Sequence, residues 1–278
     1  MTILVTGGRG HVARAVVARL LEHGHEPRVA SRQPDATGAP AGVELVEADL
    51  TRPETFRAAL EGVSKVFLYA EPKGIAGFLD EAGRAGVEHV VLLSASPVTS
   101  ADPDRNPLAR MHRSAERALI DSGLPWTFLR PATFATNALQ WTWSIRAEGV
   151  VRAAYPEAHN DAIHEADIAE VAVRALTEPG HVGRAHLMTG PESLTQRRQV
   201  ELIGKAIGRE VEFVEQTPAE YRATLDQWSN GELTDQLLRY LSDNDGVPVP
   251  VINTVELVTG RPARTFEQWA LDHAADFS

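Results

Sequence analysis

The segment TILVTGGRGHVARAVVARLL, residues 2–21, decides the fold of this chain. A short β-branched run leads into a glycine-rich turn, and an amphipathic helical pattern follows at once. In such a strand–turn–helix, Gly7 allows the sharp turn, Gly10 lets the backbone approach a pyrophosphate, and the small Ala13 lets helix and strand pack closely. The amino end of the helix then faces the phosphates. The segment therefore predicts a dinucleotide-binding site.

The first half of the chain alternates short apolar runs with longer amphipathic stretches, which is typical of βαβ units and a parallel sheet. The predicted strands are residues 2–6, 26–31, 43–48, 64–70, 88–95 and 125–131. The predicted helices are residues 11–23, 53–61, 74–85, 107–122 and 133–147. We expect an α/β fold, a doubly wound parallel-sheet Rossmann domain with a small helix-rich C-terminal substrate lobe.

The alternation loosens after about residue 150. Residues 1–150 are expected to form the NAD(P)-binding domain, and 151–278 to hold the remaining sheet and helix elements and the substrate lobe, with a soft boundary and a shared core. Later elements are predicted near 166–177, 185–188, 195–207 and 211–215. A hydroxyl residue three positions before a Glu or Gln predicts a capping box. Three such pairs mark predicted helix starts: Thr51 with Glu54, Thr217 with Glu220, and Thr265 with Gln268.

Composition excludes several classes of function. The 278 residues include 27 Lys and Arg against 38 Asp and Glu, a formal net charge of −11, which argues against a nucleic-acid partner. There is no Cys, so disulfides, thiolate nucleophiles and Cys-ligated metals are excluded. The scattered His residues show no metal-ligand spacing. No apolar run reaches the roughly 18–20 residues of a membrane span. We expect a cytoplasmic protein that acts on a small molecule, with its oligomeric state open.

The end of the second predicted strand bears on cofactor choice. It reads Ala30-Ser31-Arg32 and lacks the acidic residue that would bind a ribose 2′-hydroxyl. Arg32 is placed to meet a 2′-phosphate instead, which favours NADP(H) over NAD(H), although a solvated surface charge is the alternative. Asp49, which closes the third strand, is expected either to accept from the adenine amine or to cap the following helix.

Several segments resemble the NmrA-like group of atypical short-chain dehydrogenases/reductases, and together they cover nearly the whole chain. They are the glycine turn with Ala13, the VASR of residues 29–32, and residues 87–94, 122–137, 163–172, 189–195 and 257–270. The resemblance implies NADPH-dependent reduction of a small planar carbonyl, quinone, azo or enone substrate by hydride transfer. The alternatives are a non-catalytic NADP(H) redox sensor and, third, an epimerase or dehydratase.

The motifs and the resemblance together predict the cofactor site. Its expected residues are Gly7, Gly8, Arg9, Gly10, His11, Val12, Arg32, Asp49, Leu50, Tyr69, Ala70, Ser94, Ala95, Pro131 and Phe134. The hydroxyl of Ser94 is expected to bind the nicotinamide amide or a substrate carbonyl, unless it caps backbone instead. Of Trp141 and Trp143, which lie two positions apart, one is expected in the core and the other over the pocket.

The catalytic Tyr-XXX-Lys pair of most short-chain dehydrogenases/reductases is missing from residues 108–119, where the resemblance places it. Tyr69 and Lys73 have the spacing, but Pro72 and the strand end argue against one shared helical face. The catalytic candidates are therefore His112, Asn137 and His164. An imidazole beside Glu116 could donate a proton near neutral pH, or the two could form a plain ion pair.

Asn137 is expected to orient a substrate oxygen. His164 is expected to line the pocket or to serve structurally, ahead of a helix for which Asp167 is a plausible N-cap.

Overall fold

The computed structural model describes residues 2–34, 38–227 and 229–278. In chain order, the strands are β1 (Thr2–Thr6), β2 (Pro27–Ser31), β3 (Glu44–Glu47), β4 (Val63–Tyr69), β5 (His89–Leu93), β6 (Trp126–Pro131), β7 (Val150–Ala153), β8 (His159–Asn160), β9 (Arg184–Met188), β10 (Leu194–Thr195) and β11 (Glu212–Glu215). The α-helices are α1 (His11–Glu22), α2 (Phe56–Ala59), α3 (Ile75–Arg84), α4 (Pro107–Asp121), α5 (Thr142–Glu148), α6 (Glu165–Thr177), α7 (Gln196–Ala206), α8 (Pro218–Leu225), α9 (Gly231–Asp243), α10 (Thr254–Thr259), α11 (Phe266–Asp272) and α12 (Ala274–Phe277).

A seven-stranded sheet has the order β3-β2-β1-β4-β5-β6-β9, and all its pairings are parallel. In the centre, Val5 of β1 lies opposite Val29 of β2 and Phe67 of β4. The chain runs from β1 outward to β3 and then crosses back to β4, so the topological switch point lies between β1 and β4. The predicted Rossmann fold is confirmed.

Burial explains why the strands read as continuous apolar runs. Ile3, Leu4 and Val5 of β1 have no exposed surface, as expected for a parallel sheet covered on both faces. The rings of Phe56 and Phe78 meet edge to face beside the sheet, with centroids 4.8 Å apart.

The chain divides into two compact units. The first, which we name the sheet unit, contains the chain up to Pro131, Glu165–Met188 and Thr254–Gly260; the second, the helical unit, contains Ala132–His164, Thr189–Asn253 and Arg261–Ser278. The boundary expected at residue 150 lies inside the helical unit. Residues 165–188 return to the sheet unit because β9 pairs with β6 along the edge of the large sheet.

The helical unit has its own apolar core. Trp269 is fully buried there, packed with Phe266 and Phe277, and Ile145 and Val151 belong to the same cluster. Two small strand pairs complete the unit, β7 with β11 and β8 with β10. Within the residues that the structure describes, no helix has the length and apolarity needed to cross a bilayer.

Two of the predicted helix starts are confirmed and one is wrong. The capping box Thr217–Glu220 forms in full ahead of α8, and Thr265 accepts from the backbone N–H of Gln268 at 3.2 Å. The box expected at Thr51–Glu54 does not form, because the 3₁₀ turn begins at Pro53 and leaves Arg52 in the capping position. Proline favours the first helical position, and here it moves the start by one residue.

Two further local expectations differ from the structure. Residues 133–147 do not form one helix: Ala135–Trp141 is a 3₁₀ helix, and α5 follows from Thr142. Asp167 is not an N-cap, since α6 begins two residues earlier, at Glu165, and Asp167 lies buried in its first turn.

Candidate functional site

The glycine-rich turn has the backbone shape that its sequence predicts. Gly7 adopts φ +70°, and a Cβ there would lie 2.8 Å from Cδ1 of Tyr69. The N–H of Gly10 donates to the carbonyl of Gly7 at 2.8 Å, which closes the turn directly before α1. Within the described residues, no side chain caps α1 and its first turn holds no acidic residue. The turn therefore fits the pyrophosphate of a dinucleotide.

The ring of Tyr69 packs against Gly7 of this turn. Its backbone N–H donates to Oγ1 of Thr6 at 3.2 Å, and that hydroxyl donates to the carbonyl of Phe67 at 3.1 Å, so the carboxyl ends of β1 and β4 are joined. Burial raises the pKa of the half-buried Tyr69 phenol, and Glu71 raises it further. Tyr69 ends β4 whereas Lys73 lies in the turn before α3, so the two do not share a helix.

Arg32 is exposed directly after β2. Asp49 lies after β3, and its Oδ1 accepts from the backbone N–H and the hydroxyl of Thr51, at 2.9 and 2.8 Å. These hydrogen bonds hold the pKa of Asp49 below its usual value, and the positive charges of Arg52 and Arg32 act in the same direction. Asp49 thus caps its own turn, and its contact with adenine stays a prediction.

The other predicted cofactor residues of the sheet unit lie in the glycine turn, at the start of α1 or just beyond the carboxyl ends of strands. Gly8 donates to the carbonyl of Ala30 at 3.3 Å, and exposed Arg9 donates to Gln33 at 2.9 Å. His11 is exposed and Val12 is buried at the start of α1. The strand-end positions are Leu50, Ala70, Ser94, Ala95 and Pro131.

A buried ion pair lies beyond the carboxyl end of β5. Glu116 of α4 accepts two hydrogen bonds from Arg130 of β6, at 2.9 and 2.7 Å, and a third from the hydroxyl of Ser94 at 2.6 Å. Ser94 has no exposed surface, so its hydrogen serves this contact. The sequence analysis missed Arg130, although a charged residue inside the apolar run of β6 signals that a partner must lie nearby.

His112 therefore lacks the carboxylate contact that was expected for it. Glu116 is bound to Arg130 and Ser94, and Nδ1 of His112 is buried without a hydrogen-bond partner among the described residues. Burial lowers the pKa of His112 to about 4, although the charge of Glu116 opposes the shift. His112 is thus a neutral imidazole at neutral pH, with a nitrogen that still needs a partner.

A second candidate site is a cavity of about 80 Å³ in the helical unit. Asn137, predicted to orient a substrate oxygen, lies exposed at its rim, and Phe134 also lines it. Buried Trp141 contributes a wall, whereas Trp143 is 72% exposed and lies outside the lining. The sequence analysis missed the other polar lining residues, which are Gln140, Asn160, Gln196, Gln199, Tyr221 and Tyr240.

His164 does not line this cavity. It is 5% exposed, and its Nε2 lies 3.3 Å from a carboxylate oxygen of Asp272 in α11. The structure thus joins His164 to the carboxyl end of α11, and a catalytic role for it stays a prediction. Across the described ranges, no cluster of three or more His, Asp or Glu side chains has the arrangement of a metal site.

The fold and the glycine turn define a Rossmann-type dinucleotide-binding protein. A family model described as NAD(P)H-binding matches residues 7–179. A (4-alkanoyl-5-oxo-2,5-dihydrofuran-3-yl)methyl phosphate reductase of Streptomyces griseus is 38% identical, and an NAD(P)H azoreductase of Xenophilus azovorans is 35% identical, each over 99% of both chains. The chain belongs to this NAD(P)H-binding family, and the predicted kinship with atypical short-chain dehydrogenases/reductases is confirmed.

Solved structures share the fold. The NADPH complex of an NADPH-dependent quinone oxidoreductase from Escherichia coli superimposes with a TM-score of 0.80 at 23% identity, covering 96% of this chain and 98% of that one. A Citrobacter triphenylmethane reductase gives 0.80 at 20% identity, covering 99% of each chain. Since the chain matches reductases over its whole length, it is an NAD(P)H-dependent oxidoreductase.

Proposed function

We propose that this protein uses NADPH in preference to NADH to reduce a small planar quinone, azo, enone or carbonyl substrate. The observation that carries the cofactor preference is the end of β2, where exposed Arg32 directly follows Ser31 and none of the described residues 30–34 is acidic. The positive charge of Arg32 also lowers the pKa of Asp49, so the two side chains are near enough to interact electrostatically. The cytoplasmic location expected from the sequence stays a prediction.

The nicotinamide ring, when bound, supplies the hydride. The turn of Gly7 and Gly10 holds the pyrophosphate, and Arg32 pairs with the 2′-phosphate in a charge-assisted hydrogen bond. Tyr69 and Ala70 line the ribose side. His112 is neutral at neutral pH and supplies no imidazolium proton there, so its catalytic role stays a prediction. Asn137 orients a substrate oxygen at the rim of the cavity.

Two observations support the proposed acceptor class: the names of the relatives, and the absence of a Tyr-XXX-Lys pair from residues 108–119 of the sequence. The Xenophilus azovorans relative is named an azoreductase. On α4, His112 and Glu116 lie four residues apart, and Arg130 donates a hydrogen bond to the Glu116 carboxylate. Without a Tyr-XXX-Lys acid, a quinone or azo acceptor is favoured, because water can protonate its reduced form.

The test begins with calorimetric titration by NADPH and NADH, followed by loss of NADPH absorbance with a panel of quinones, azo dyes and enones. We expect tighter binding of NADPH and turnover of at least one acceptor. Tight NADPH binding with no turnover on the whole panel would contradict the proposed acceptor classes, and equal binding of both cofactors would contradict the NADPH preference.

Arg32→Ala isolates the cofactor preference. Loss of one charge-assisted contact should weaken NADPH binding about 10- to 100-fold and leave NADH within about twofold. Arg84→Ala, which removes another exposed arginine of the sheet unit, is the control and should change neither affinity. An equal loss for both cofactors would refute contact with the 2′-phosphate.

A further inference from the structure

The cavity of the helical unit is lined by two tyrosines that the proposed function leaves unused. Tyr221 of α8 and Tyr240 of α9 both line it. Tyr221 is 4% exposed, and the capping box at Thr217–Glu220 fixes the start of its helix. Both phenols thus reach one small space from two separate helices.

The two hydroxyls differ in their partners. Among the described residues, none accepts a hydrogen bond from the Tyr221 hydroxyl, and burial raises its pKa to about 12, so it keeps its proton. Burial also raises the pKa of Tyr240, and the interaction of its hydroxyl with the Thr133 side chain opposes that rise. The N–H of Thr133 donates to Asp161 at 3.4 Å. Tyr240 is therefore held in place, and Tyr221 has a donor to offer.

The buried glutamine amides of this cavity are already committed to the protein. Nε2 of Gln196 donates to the carbonyls of Ala154 and Tyr155, at 2.9 and 2.8 Å. Nε2 of Gln199 donates to Oδ1 of Asn160 at 2.6 Å. The Nε2 atoms of Gln196 and Gln199 thus already have protein partners, which distinguishes them from the Tyr221 hydroxyl.

The charge of the cavity selects against anions. The lining residues that the structure describes include no Lys, Arg or His. Asp161 lies behind Thr133, and burial raises its pKa, as expected for a carboxyl with little solvent around it. An anionic group placed here would lose its hydration without meeting a cation, which is costly.

We propose that Tyr221 and Tyr240 form a pair of hydrogen-bond donors that binds the carbonyl oxygen of a neutral planar ligand, with Thr133 and Asp161 as positioning residues for Tyr240. A volume of about 80 Å³ admits the carbonyl-bearing edge of a ring, against Phe134, Trp141 and Phe266. The ligand is the acceptor of the proposed reductase, and to that extent the inference rests on the proposed function. It further assigns the acceptor as uncharged, unlike the phosphate-bearing substrate in the name of the Streptomyces griseus relative.

Equilibrium dialysis of the full chain with 1,4-naphthoquinone and with its 2-sulfonate, each with and without oxidised NADP⁺, tests this assignment without turnover. We expect Tyr221→Phe and Tyr240→Phe each to weaken naphthoquinone binding about tenfold, the effect of one hydrogen bond. The sulfonate should bind at least about tenfold more weakly than the parent quinone. Tyr155→Phe, a tyrosine of the same unit outside the lining, is the control and should bind normally.

Thr133 is tested as a positioning residue by rescue. Thr133→Val should weaken binding, Thr133→Ser should restore it, and Thr133→Val should add nothing in a Tyr240→Phe background. Equal weakening by Thr133→Ser and Thr133→Val would overturn this positioning role, since it would point to packing alone.

Unchanged affinity in both Tyr→Phe variants, equal affinity for the sulfonate, or no binding of naphthoquinone to the wild type would each overturn the proposal. These failures are separable from failure of the proposed function. Tyr-dependent quinone binding with no NADPH oxidation would retain the donor pair and contradict quinone reduction. Quinone turnover with affinity unchanged in both variants would do the reverse.

Discussion

The two units build their candidate sites in opposite ways. In the sheet unit the site is made of backbone, from consecutive residues of the glycine turn and from the ends of neighbouring strands. In the helical unit the cavity is made of side chains, drawn from segments as distant as Thr133 and Phe266. A backbone site is damaged when a carbon atom is added, whereas a side-chain site is damaged when one polar atom is removed. The following predictions test that difference.

Adding one carbon to the sheet unit should have the largest effect. Gly74 precedes α3 at φ +87°, and a Cβ there would lie 1.7 Å from the carbonyl oxygen of Leu50. Gly74→Ala should therefore lower the free energy of unfolding by at least about 3 kcal/mol, measured by urea denaturation, and should also weaken NADPH binding.

Gly83→Ala is the control for that change. Gly83 lies inside α3 with nothing within 4 Å of an added Cβ. The substitution should raise the free energy of unfolding by about 0.5–1 kcal/mol. A cost below about 1 kcal/mol for Gly74→Ala would show that the Leu50 backbone is free to move, and would remove the contrast between the units.

Glu116→Ala should cost nearly as much, because it leaves Arg130 without its partner. The Glu116 side chain is 8% exposed and that of Arg130 is 23% exposed. Removing one member of such a pair destabilises by about 3 kcal/mol. Asp121→Ala breaks the exposed pair with Arg117 on the same helix and should cost at most about 0.5 kcal/mol.

A double substitution sharpens the result for Glu116. With Arg130→Ala also present, the loss should be smaller than the sum of the two single losses, since no unpaired charge remains. Strict additivity would mean that Glu116 and Arg130 act independently and that their ion pair contributes no coupling energy to the sheet unit.

Acid should destabilise the sheet unit through His89, which is 4% exposed at the start of β5. Burial lowers its pKa to about 4, with smaller contributions from Lys65 and His181. The unfolded chain takes up a proton near pH 6.5 and the folded one does not, so stability is present above pH 6.5 and falls as pH drops towards 4. Between pH 7 and pH 5 the free energy of unfolding should fall by about 2 kcal/mol on this account.

His89→Gln checks the assignment, because it removes the titrating ring. The pH dependence of urea unfolding between pH 7 and pH 5 should shrink by about 2 kcal/mol relative to the wild type. The substitution also disturbs the hydrogen bond with Thr127, so the comparison is between slopes and not between absolute stabilities. An unchanged slope would assign the acid sensitivity to other groups.

The sheet unit was predictable because its signals are local. The β-branched runs, the glycine turn and the alternation of strands with helices all follow from residues close together in sequence, and each predicted strand of the large sheet overlaps an observed one. The pairing of Glu116 with Arg130 was not predictable. Helical spacing predicts His112 as the neighbour of Glu116, whereas in the structure Arg130 of β6 donates two hydrogen bonds to it.

The cavity of the helical unit could not be predicted either, because its lining residues come from segments that are far apart in sequence. Tyr221 and Tyr240 carry no motif, and their shared space depends on how α8 and α9 pack. Asn137 was found through the family resemblance. The entry of residues 165–188 into the sheet unit depends on the pairing of β9 with β6, a contact between segments more than 50 residues apart.

The smallest predicted effect compares one motif in both units. Thr217–Glu220 and Thr51–Glu54 have the same Thr-x-x-Glu pattern, and a proline begins the helical turn in both. Pro218 directly follows Thr217 and leaves it as the N-cap, whereas Pro53 comes two residues after Thr51 and leaves Arg52 in that position. Thr217→Ala should therefore cost about 1 kcal/mol of unfolding free energy, since it removes a formed cap. Thr51→Ala should cost less, because its exposed hydroxyl bonds Asp49 and caps no helix. Equal costs by urea unfolding would mean that the cap at Thr217 contributes no more than a surface hydrogen bond. In that case the position of the proline would not decide which Thr-x-x-Glu segment forms a stabilising cap.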